Sequence, residues 1–331
     1  MPDPMWLVVL VVILALIFDF TNGWNDSANA IATVVGTRTL SPLQALMLSA
    51  VLNLAGAFFS TAVAKAIGND IVDPNGITLL VIVATLLAAI LWNTAMTLMG
   101  LPISASHALI GALVGAAIAY SGWDVLRVKG IITILIALLV SPLLGGVLGY
   151  AIMKLIRGVF AETSPSKVKK WFRPLQIVSA SFMSFSHGTS DAQKAMGIIT
   201  LALFTSGHLS KMEVPTWVMV AAGLAMAIGT AAGGWRVIQT MGARLSRLET
   251  PHGFSAETAA ALILTTVAKI GVPVSSTHTI TGSIIGVGAA ERIRSVRWGI
   301  AGKILYAWVL TLPGTAVMGF ILYEILRVLE P

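Results

Sequence analysis

The chain has 331 residues, of which 56% are hydrophobic and only 11% are charged, and its mean hydropathy is +0.89. A soluble globular domain does not need that much apolar surface, so the composition predicts a protein whose solvent is the lipid bilayer. The absence of cysteine excludes disulfides and thiolate metal sites. The net charge of +7 comes from basic residues in short connections between apolar runs, which is not the pattern of a nucleic-acid-binding stripe.

The apolar runs predict an all-α membrane protein with ten segments, since a membrane helix needs roughly 20 apolar residues. The segments of the first half fall at about 5–36, 43–67, 77–99, 102–120 and 130–157. Those of the second half fall at about 174–206, 214–236, 254–271, 273–290 and 297–326. Between them lies a polar and basic linker at 158–173. The chain is thus predicted to divide into halves at 1–157 and 174–331.

One motif occurs in the fourth segment of each half. Residues 102–115 read PISASHALIGALVG, and residues 273–286 read PVSSTHTITGSIIG, which align without a gap. A repeat about half a chain apart predicts two related halves. Because each half has an odd number of segments, the second would enter the membrane upside down. Such inverted repeats with interrupted helices are typical of secondary transporters, whose site lies at the repeat interface.

The basic residues predict the orientation. With ten segments, the connections at 157–173, 236–247 and 292–297 lie on one side, and they hold most of the lysines and arginines outside the spans. Cytoplasmic connections are enriched in these residues. We therefore expect a multi-pass protein of the cell membrane with both termini outside and the linker in the cytoplasm.

The repeated motif reads as the start of a helix that carries hydroxyls in its first turn. Such a start leaves unpaired N–H groups and a partial positive charge, so two of them facing each other would form an anion site. Helix capping explains part of the hydroxyl content, but not its repetition in a membrane protein. The candidate anion-binding residues are Ser104, Ser106, Ser275, Ser276 and Thr277.

A second repeated feature lies in the first segment of each half. Residues 22–33 read NGWNDSANAIAT and residues 187–200 read HGTSDAQKAMGIIT, each with a Gly three residues before an Asp. A Gly among polar residues in an apolar run predicts a helix broken at membrane depth. Asp26 and Asp191 would each cost at least roughly 2.5–3.5 kcal/mol there, so they need partners. Their oxygens suit Na⁺ or a proton, although a capping role is the alternative.

Three histidines accompany these motifs. His107 and His278 follow the hydroxyls, and His187 adjoins the second Gly. Each could orient the backbone through a hydrogen bond or contact the substrate.

Other ionisable residues lie within the apolar runs. Lys194 stands one helical turn after Asp191 and is expected to pair with it or with another carboxylate. Glu257 is either a partner of a helix dipole or a member of the cation site. Asp19 and Asn93 are further candidates.

These motifs together resemble the inorganic phosphate transporter (PiT) family. The resemblance rests on GWNDSANAIATVVGT, HGTSDAQKAMG, PISASHALIGALVG and PVSSTHTITGSIIGVG, and it spans nearly the whole chain. It implies an inverted-repeat homodimer that carries inorganic phosphate inward with Na⁺ or H⁺ and uses no other cofactor. The cation side implied by the resemblance comprises Asn25, Asp26, Asn29 and Asp191, and the five hydroxyl residues form the phosphate side. Ser190 stands where the family pattern has Asn.

The sequence therefore predicts a cation-coupled phosphate symporter that works by alternating access. One alternative is a transporter of another oxyanion, such as sulfate or arsenate. Another is an intramembrane phosphatase that acts on a lipid phosphate, which would need an Arg or metal ligands at the developing charge. No predicted span holds an Arg in its interior, so we expect a transporter rather than an enzyme. A passive channel and a nutrient sensor are the remaining alternatives.

Overall fold

The computed structural model describes residues 5–329 and is all-helical. In the first half the helices are α1 (Met5–Gly36), α2 (Pro42–Gly56), α3 (Ala62–Asn69), α4 (Leu79–Met99), α5 (Ala105–Ser121) and α6 (Val128–Val159). In the second they are α7 (Pro165–Thr205), α8 (Thr216–Ala232), α9 (Trp235–Gln239), α10 (Thr250–Ile270), α11 (Ser276–Glu291) and α12 (Trp298–Leu326). The two chain ends, predicted to lie on the outer side of the membrane, fall beyond the described residues.

The helices of the two halves follow the same order. Each half begins with a long helix and continues with a shorter helix and a very short one. A 21-residue helix follows, ended by a glycine in the left-handed region, Gly100 at φ 72° in α4 and Gly271 at φ 76° in α10. The last helix of each half is long and contains a proline, Pro142 or Pro313. This correspondence covers every α-helix of the described chain.

The halves interlock rather than pack as separate bodies. Helix α1 packs along α8, and α7 packs along α2; in the same way α5 packs along α12, and α11 along α6. Residues 28–34 of α1 belong to an apolar core with α10 and α11, whereas residues 192–202 of α7 belong to the core with α3, α4 and α5. The polar middles of α1 and α7 lie where these helices pass from one core to the other.

The predicted breaks at Gly23 and Gly188 are wrong, because α1 and α7 continue through both positions. A Cβ at Gly23 would overlap the carbonyl oxygen of Met226 in α8, and one at Gly188 would overlap that of Asn53 in α2. The glycines therefore allow helix backbones to approach closely. The interruptions lie elsewhere: between α2 and α3, between α8 and α9, and just before α5 and α11.

The ten predicted segments do not appear as ten spanning helices. Five helices of the described chain, α1, α4, α6, α10 and α12, are long and apolar enough to cross a membrane. A sixth span arises if α8 is joined to residues 235–244, which are bent from it by 64°. The second predicted segment of each half is split into two helices, and residues 165–173 of the predicted linker form the first turns of α7.

Candidate functional site

The first turns of α5 and α11 have the same local geometry. Ser104 is the N-cap of α5 with φ −95° and ψ 111°, and Ser275 is the N-cap of α11 with φ −94° and ψ 114°. Each cap hydroxyl accepts a hydrogen bond from the backbone N–H three residues on, at 3.2 Å from His107 and 3.1 Å from His278. A cap oxygen accepts this bond through a lone pair, so its hydroxyl hydrogen stays available to an anion.

The two helix starts meet through a reciprocal pair of hydrogen bonds. The Ser106 hydroxyl donates to the carbonyl of Val274 at 3.1 Å, and the Thr277 hydroxyl donates to the carbonyl of Ile103 at 2.8 Å. These four residues occupy equivalent positions in the two motif copies. The sequence prediction that the copies face each other thus agrees with the observed geometry.

The two motif histidines lie against each other beside this contact. The ring centroids of His107 and His278 are 4.7 Å apart, and the His278 ring stacks on Trp308 at 3.7 Å. The Trp308 indole donates to the carbonyl of Pro102 at 3.1 Å. Both histidines therefore pack the two motif copies against each other and against α12.

The carboxylates of Asp26 and Asp191 are held by the hydroxyls of the α11 motif. Ser276 donates to Asp191 Oδ2 at 2.6 Å and lies 3.4 Å from Asp26 Oδ2. Thr277 Oγ1 lies 3.0 Å from Asp26 Oδ1. The Asn29 amide of α1 donates to Ser276 at 3.3 Å and to Thr277 at 3.0 Å. Residues predicted for the cation side and for the phosphate side therefore form one buried cluster.

Two basic side chains of α7 contact the same carboxylates. His187 Nε2 lies 3.1 Å from Asp191 Oδ2 and 3.8 Å from Asp26 Oδ2. Lys194 Nζ lies 3.1 Å from Asp191 Oδ1, as its position one turn away predicted. Among residues 5–329, Lys194 is the only buried lysine or arginine. Positive charge at the cluster is therefore limited to this lysine and the imidazole.

The cluster has the oxygen donors that a small cation needs. The nearest ligand atoms of Asp26, His187 and Asp191 all lie within 4.8 Å of one another. The amide oxygens of Asn25 and Asn29 are buried without a hydrogen-bonding partner among the described residues. Carboxylate and amide oxygens are hard ligands suited to Na⁺. The helix starts and hydroxyls beside them supply donors for an anion.

Two predicted residues lie at the edge of the cluster. The Asn25 amide donates to the Thr97 hydroxyl at 2.8 Å and lies 3.5 Å from the carbonyl of Leu101, just before α5. Ser190 is buried next to Asp191 on α7. Asn25 thus connects α1 to the segment that leads into the first motif.

Glu257 lies in a separate group of polar side chains. Its carboxylate accepts hydrogen bonds from Thr33 at 2.5 Å, from Gln176 at 3.3 Å and from Ser179. Thr33 lies on α1 seven residues after Asp26, which corresponds to about 10 Å along the helix axis. Glu257 is therefore tied to the first helix of each half, beside the central cluster rather than within it.

Sequence reasoning missed one residue that supports the cluster. The amide oxygen of Asn53 in α2 accepts a hydrogen bond from Nδ1 of His187 at 3.2 Å, and its amide nitrogen donates to the Thr230 hydroxyl of α8 at 2.9 Å. This amide fixes the imidazole that bridges the two aspartates. The sequence does carry a signal for it, since Asn53 is the only asparagine in the apolar run 43–67.

Comparison with known proteins gives the family of this chain. The sequence matches the Phosphate transporter family over residues 22–319. The chain belongs to the phosphate transporter family. A multi-pass membrane transporter is thus confirmed, and the family and its named members are transporters rather than enzymes.

Individual relatives match nearly the whole length of the chain. A protein of Bacillus subtilis (strain 168), named as a probable low-affinity inorganic phosphate transporter, is 48% identical over 98% of each chain. A protein of Rhizobium meliloti (strain 1021) with the same name is 46% identical over 96% of each chain. A solved sodium-dependent phosphate transporter matches with a TM-score of 0.87 at 23% identity, covering 97% of this chain and 99% of its own. This last likeness establishes the fold.

Proposed function

We propose that this protein imports inorganic phosphate together with Na⁺ by alternating access across the cell membrane. The observation that carries the proposal is the meeting of two helix starts, one from each half, at the paired carboxylates of Asp26 and Asp191. The relatives are named as inorganic phosphate transporters, and the solved structure of the same fold is named as a sodium-dependent phosphate transporter.

In this proposal Na⁺ binds at the carboxylate side of the cluster. Asp26 and Asp191 provide the charge, and the free amide oxygens of Asn25 and Asn29 provide neutral ligands. His187 lies between the two carboxylates, and Lys194 pairs only with Asp191. Carboxylate oxygens therefore remain available to a cation. Their placement in the polar middles of α1 and α7 keeps this cation away from lipid.

Cation binding and phosphate binding can be coupled because the carboxylates and the phosphate compete for the same hydroxyl hydrogens. Each hydroxyl has one hydrogen, and the hydroxyls of Ser276 and Thr277 direct theirs at carboxylate or carbonyl oxygens. A cation on Asp26 and Asp191 would satisfy these carboxylates instead. The Ser276 hydrogen, the cap hydroxyls of Ser104 and Ser275, and the two helix starts could then bind a tetrahedral anion. Phosphate would therefore bind after the cation.

We also propose that the halves are inverted repeats and that their relative movement exposes the site to each side in turn. The matched helix order, the symmetric packing of helices across the halves and the reciprocal hydrogen bonds of the two motifs support this proposal. Membrane lipid and a second copy of the chain are the partners proposed for the exposed apolar faces of α6 and α12. Leu139, Leu143 and Val309 are among their exposed residues.

The experiment is uptake of labelled phosphate into proteoliposomes that contain the purified chain. We expect accumulation under an imposed inward Na⁺ gradient, with arsenate and sulfate added as competitors to define the anion. Accumulation driven only by an inward H⁺ gradient would replace Na⁺ by H⁺ in the proposal. No accumulation under either gradient, with hydrolysis of a lipid phosphate, would overturn the transport function.

A further inference from the structure

A groove lies between α4 and α12, outside the central cluster. Its volume is about 500 Å³, within the roughly 300–1,000 Å³ that is usual for sites of small ligands. Apolar side chains form most of its wall, among them Met96, Met99 and Leu310. Met99 is 66% exposed and Tyr306, also in the wall, is 69% exposed. The groove is therefore open at the surface that would face lipid.

Two glycines in the first turns of α12 keep the groove open. Gly299 and Gly302 both line it, and a Cβ built at either one would have no atom within 4 Å. Further along the same helix, a Cβ at Gly319 would overlap the carbonyl oxygen of Ala112 in α5. Gly299 and Gly302 thus do not serve a close contact between helices of the described chain. The space beside them is available to another molecule.

A lysine lies in the wall of this apolar groove. Lys303 is exposed and makes no ion pair with any residue that the structure describes, and none of the described lining residues is acidic. It follows Trp298, the first residue of α12, by about 8 Å along the helix axis. Tryptophan is enriched at membrane interfaces, and a lysine slightly deeper extends its ammonium group toward the headgroups. Lys303 therefore places a positive charge where a lipid phosphate would lie.

The same end of α12 carries further positive charge. Arg294 and Arg297 lie just before its first residue, and both are exposed. Arg236 donates to the carbonyl of Leu98 at the end of α4 that borders the groove. Basic residues at a membrane surface attract anionic lipids. This charge therefore favours an anionic headgroup over a zwitterionic one.

The equivalent place in the first half has a different chemistry. A groove of about 450 Å³ lies there beside the start of α6, and it is lined by Asp70, Arg127 and Lys129. Both grooves reach the residue before a motif proline, Leu101 in the apolar groove and Val272 in the polar one. Mixed charges make the second groove unsuited to an acyl chain. The fold itself therefore does not require the apolar lining found between α4 and α12.

We propose that the groove between α4 and α12 binds an anionic phospholipid, with an acyl chain along the apolar wall and the phosphate at Lys303. The lipid would lie against Leu101, whose carbonyl is 3.5 Å from the amide nitrogen of Asn25. It would also contact the turn of α12 that carries Trp308, which donates to the carbonyl of Pro102. A bound lipid would thus support the segment that leads into the first motif. The inference concerns lipid binding and does not depend on which ion drives transport.

The test compares two lipids with the same acyl chains, palmitoyl-oleoyl phosphatidylglycerol and palmitoyl-oleoyl phosphatidylcholine. Each is added to the purified full chain in a non-ionic detergent, and the melting temperature is measured against lipid concentration. We expect phosphatidylglycerol to raise the melting temperature by at least about 2 °C more than phosphatidylcholine does, because a ligand of the folded state stabilises it. Glycerol phosphate, which has no acyl chain, should leave the melting temperature unchanged.

Two variants separate the headgroup contact from the acyl-chain contact. Lys303→Gln removes the charge, and Gly302→Leu fills the groove at a position where the added Cβ meets no other atom. We expect each variant to abolish the excess shift caused by phosphatidylglycerol. Lys154→Gln and Gly158→Leu make the same changes near the end of α6, outside the groove, and should behave as the wild type.

The outcomes that would overturn the lipid site are distinct. One is an equal response of the wild type to the two lipids, and another is an excess shift that persists in either groove variant. A second copy of this chain is the other candidate occupant. Dissociation of an oligomer in Gly302→Leu, with the lipid response unchanged, would assign the groove to that copy. None of these readouts measures phosphate uptake, so the proposed function stands or falls by its own experiment.

Discussion

At the scale of single residues, the central cluster holds two buried carboxylates that share their hydrogen-bond donors. Asp26 and Asp191 share the hydroxyl of Ser276, and the limited positive charge comes from His187 and Lys194. Under the proposed function, this limited positive charge would keep the binding of phosphate reversible. An arginine fixed at this place would bind phosphate bidentately and hold it more firmly.

The first prediction concerns these two carboxylates. Asp26→Asn and Asp191→Asn each keep the side-chain volume but remove a charge from the proposed cation site. We expect Na⁺-driven phosphate uptake to fall by at least about 100-fold in each variant, with an unchanged size-exclusion profile, because the lost interaction is with a charged ligand. Proteoliposome uptake measures the effect, and Asp124→Asn is the control. Full Na⁺-dependent uptake in both variants would refute the assignment.

At the scale of helices, close contacts replace the breaks that the sequence suggested. The Gly residues of the two Gly/Asp motifs allow α1 to lie against α8 and α7 to lie against α2. Two pairs of glycines with G-x-x-x-G spacing play the same role. Gly111 and Gly115 of α5 contact the backbone of α12, and Gly282 and Gly286 of α11 contact the backbone of α6. Backbone contact at these four positions holds the two halves together.

The second prediction tests this packing. In Gly188→Ala the added Cβ would meet backbone atoms of Asn53, which cannot rotate away as a flexible side chain could. We expect the free energy of unfolding to fall by about 1–3 kcal/mol, the usual cost of overpacking. The matched control is Gly299→Ala on α12, where nothing lies within 4 Å of the added atom. Melting temperatures in detergent compare the two, and equal stability would contradict the proposed role of Gly188.

How much the sequence could predict differs between the two motifs. The starts of α5 and α11 were correctly located because a Pro, a cap hydroxyl and an apolar body specify a helix start locally. The predicted break at Gly23 is wrong because a Gly among polar residues gives the same sequence signal in two cases. In one the helix breaks there, and in the other it packs closely against another backbone. The contact of Asn53 with His187 could not be predicted, because the two residues are 134 positions apart in the sequence and meet only through the packing of α2 against α7.

At the scale of the whole molecule, equivalent structures in the two halves carry different charges. An isolated β-bridge joins Val72 to Leu126 in the first half, and another joins Ser246 to Val296 in the second. The first lies near Asp70, Asp73 and Asp124 as well as Arg127 and Lys129. Around the second are Arg244, Arg247, Arg292, Arg294 and Arg297. If the halves are inverted as proposed, the positive-inside rule predicts that the arginine-rich connections face the cytoplasm.

The third prediction tests the inverted repeat and its orientation together. Trp123 and Ile293 each open a short 3-10 helix at equivalent places, and they are 74% and 69% exposed. Because the chain has no cysteine, Trp123→Cys and Ile293→Cys each give a single reactive thiol. We expect an impermeant maleimide to label the first in intact cells and the second only after permeabilisation. Labelling of both from one side would exclude the inverted arrangement.

The reciprocal bonds from Ser106 to Val274 and from Thr277 to Ile103 have a consequence for the energy landscape. Because the two bonds are equivalent, exchanging the conformations of the two halves would leave the contact between the motifs unchanged. The inward-open and outward-open forms would then be almost degenerate at this contact. Their relative populations would depend on positions where the halves differ, among which are Asn29 and Lys194, each three residues after its Asp. These unmatched positions would determine whether the inward-open or the outward-open form is more populated when no substrate is bound.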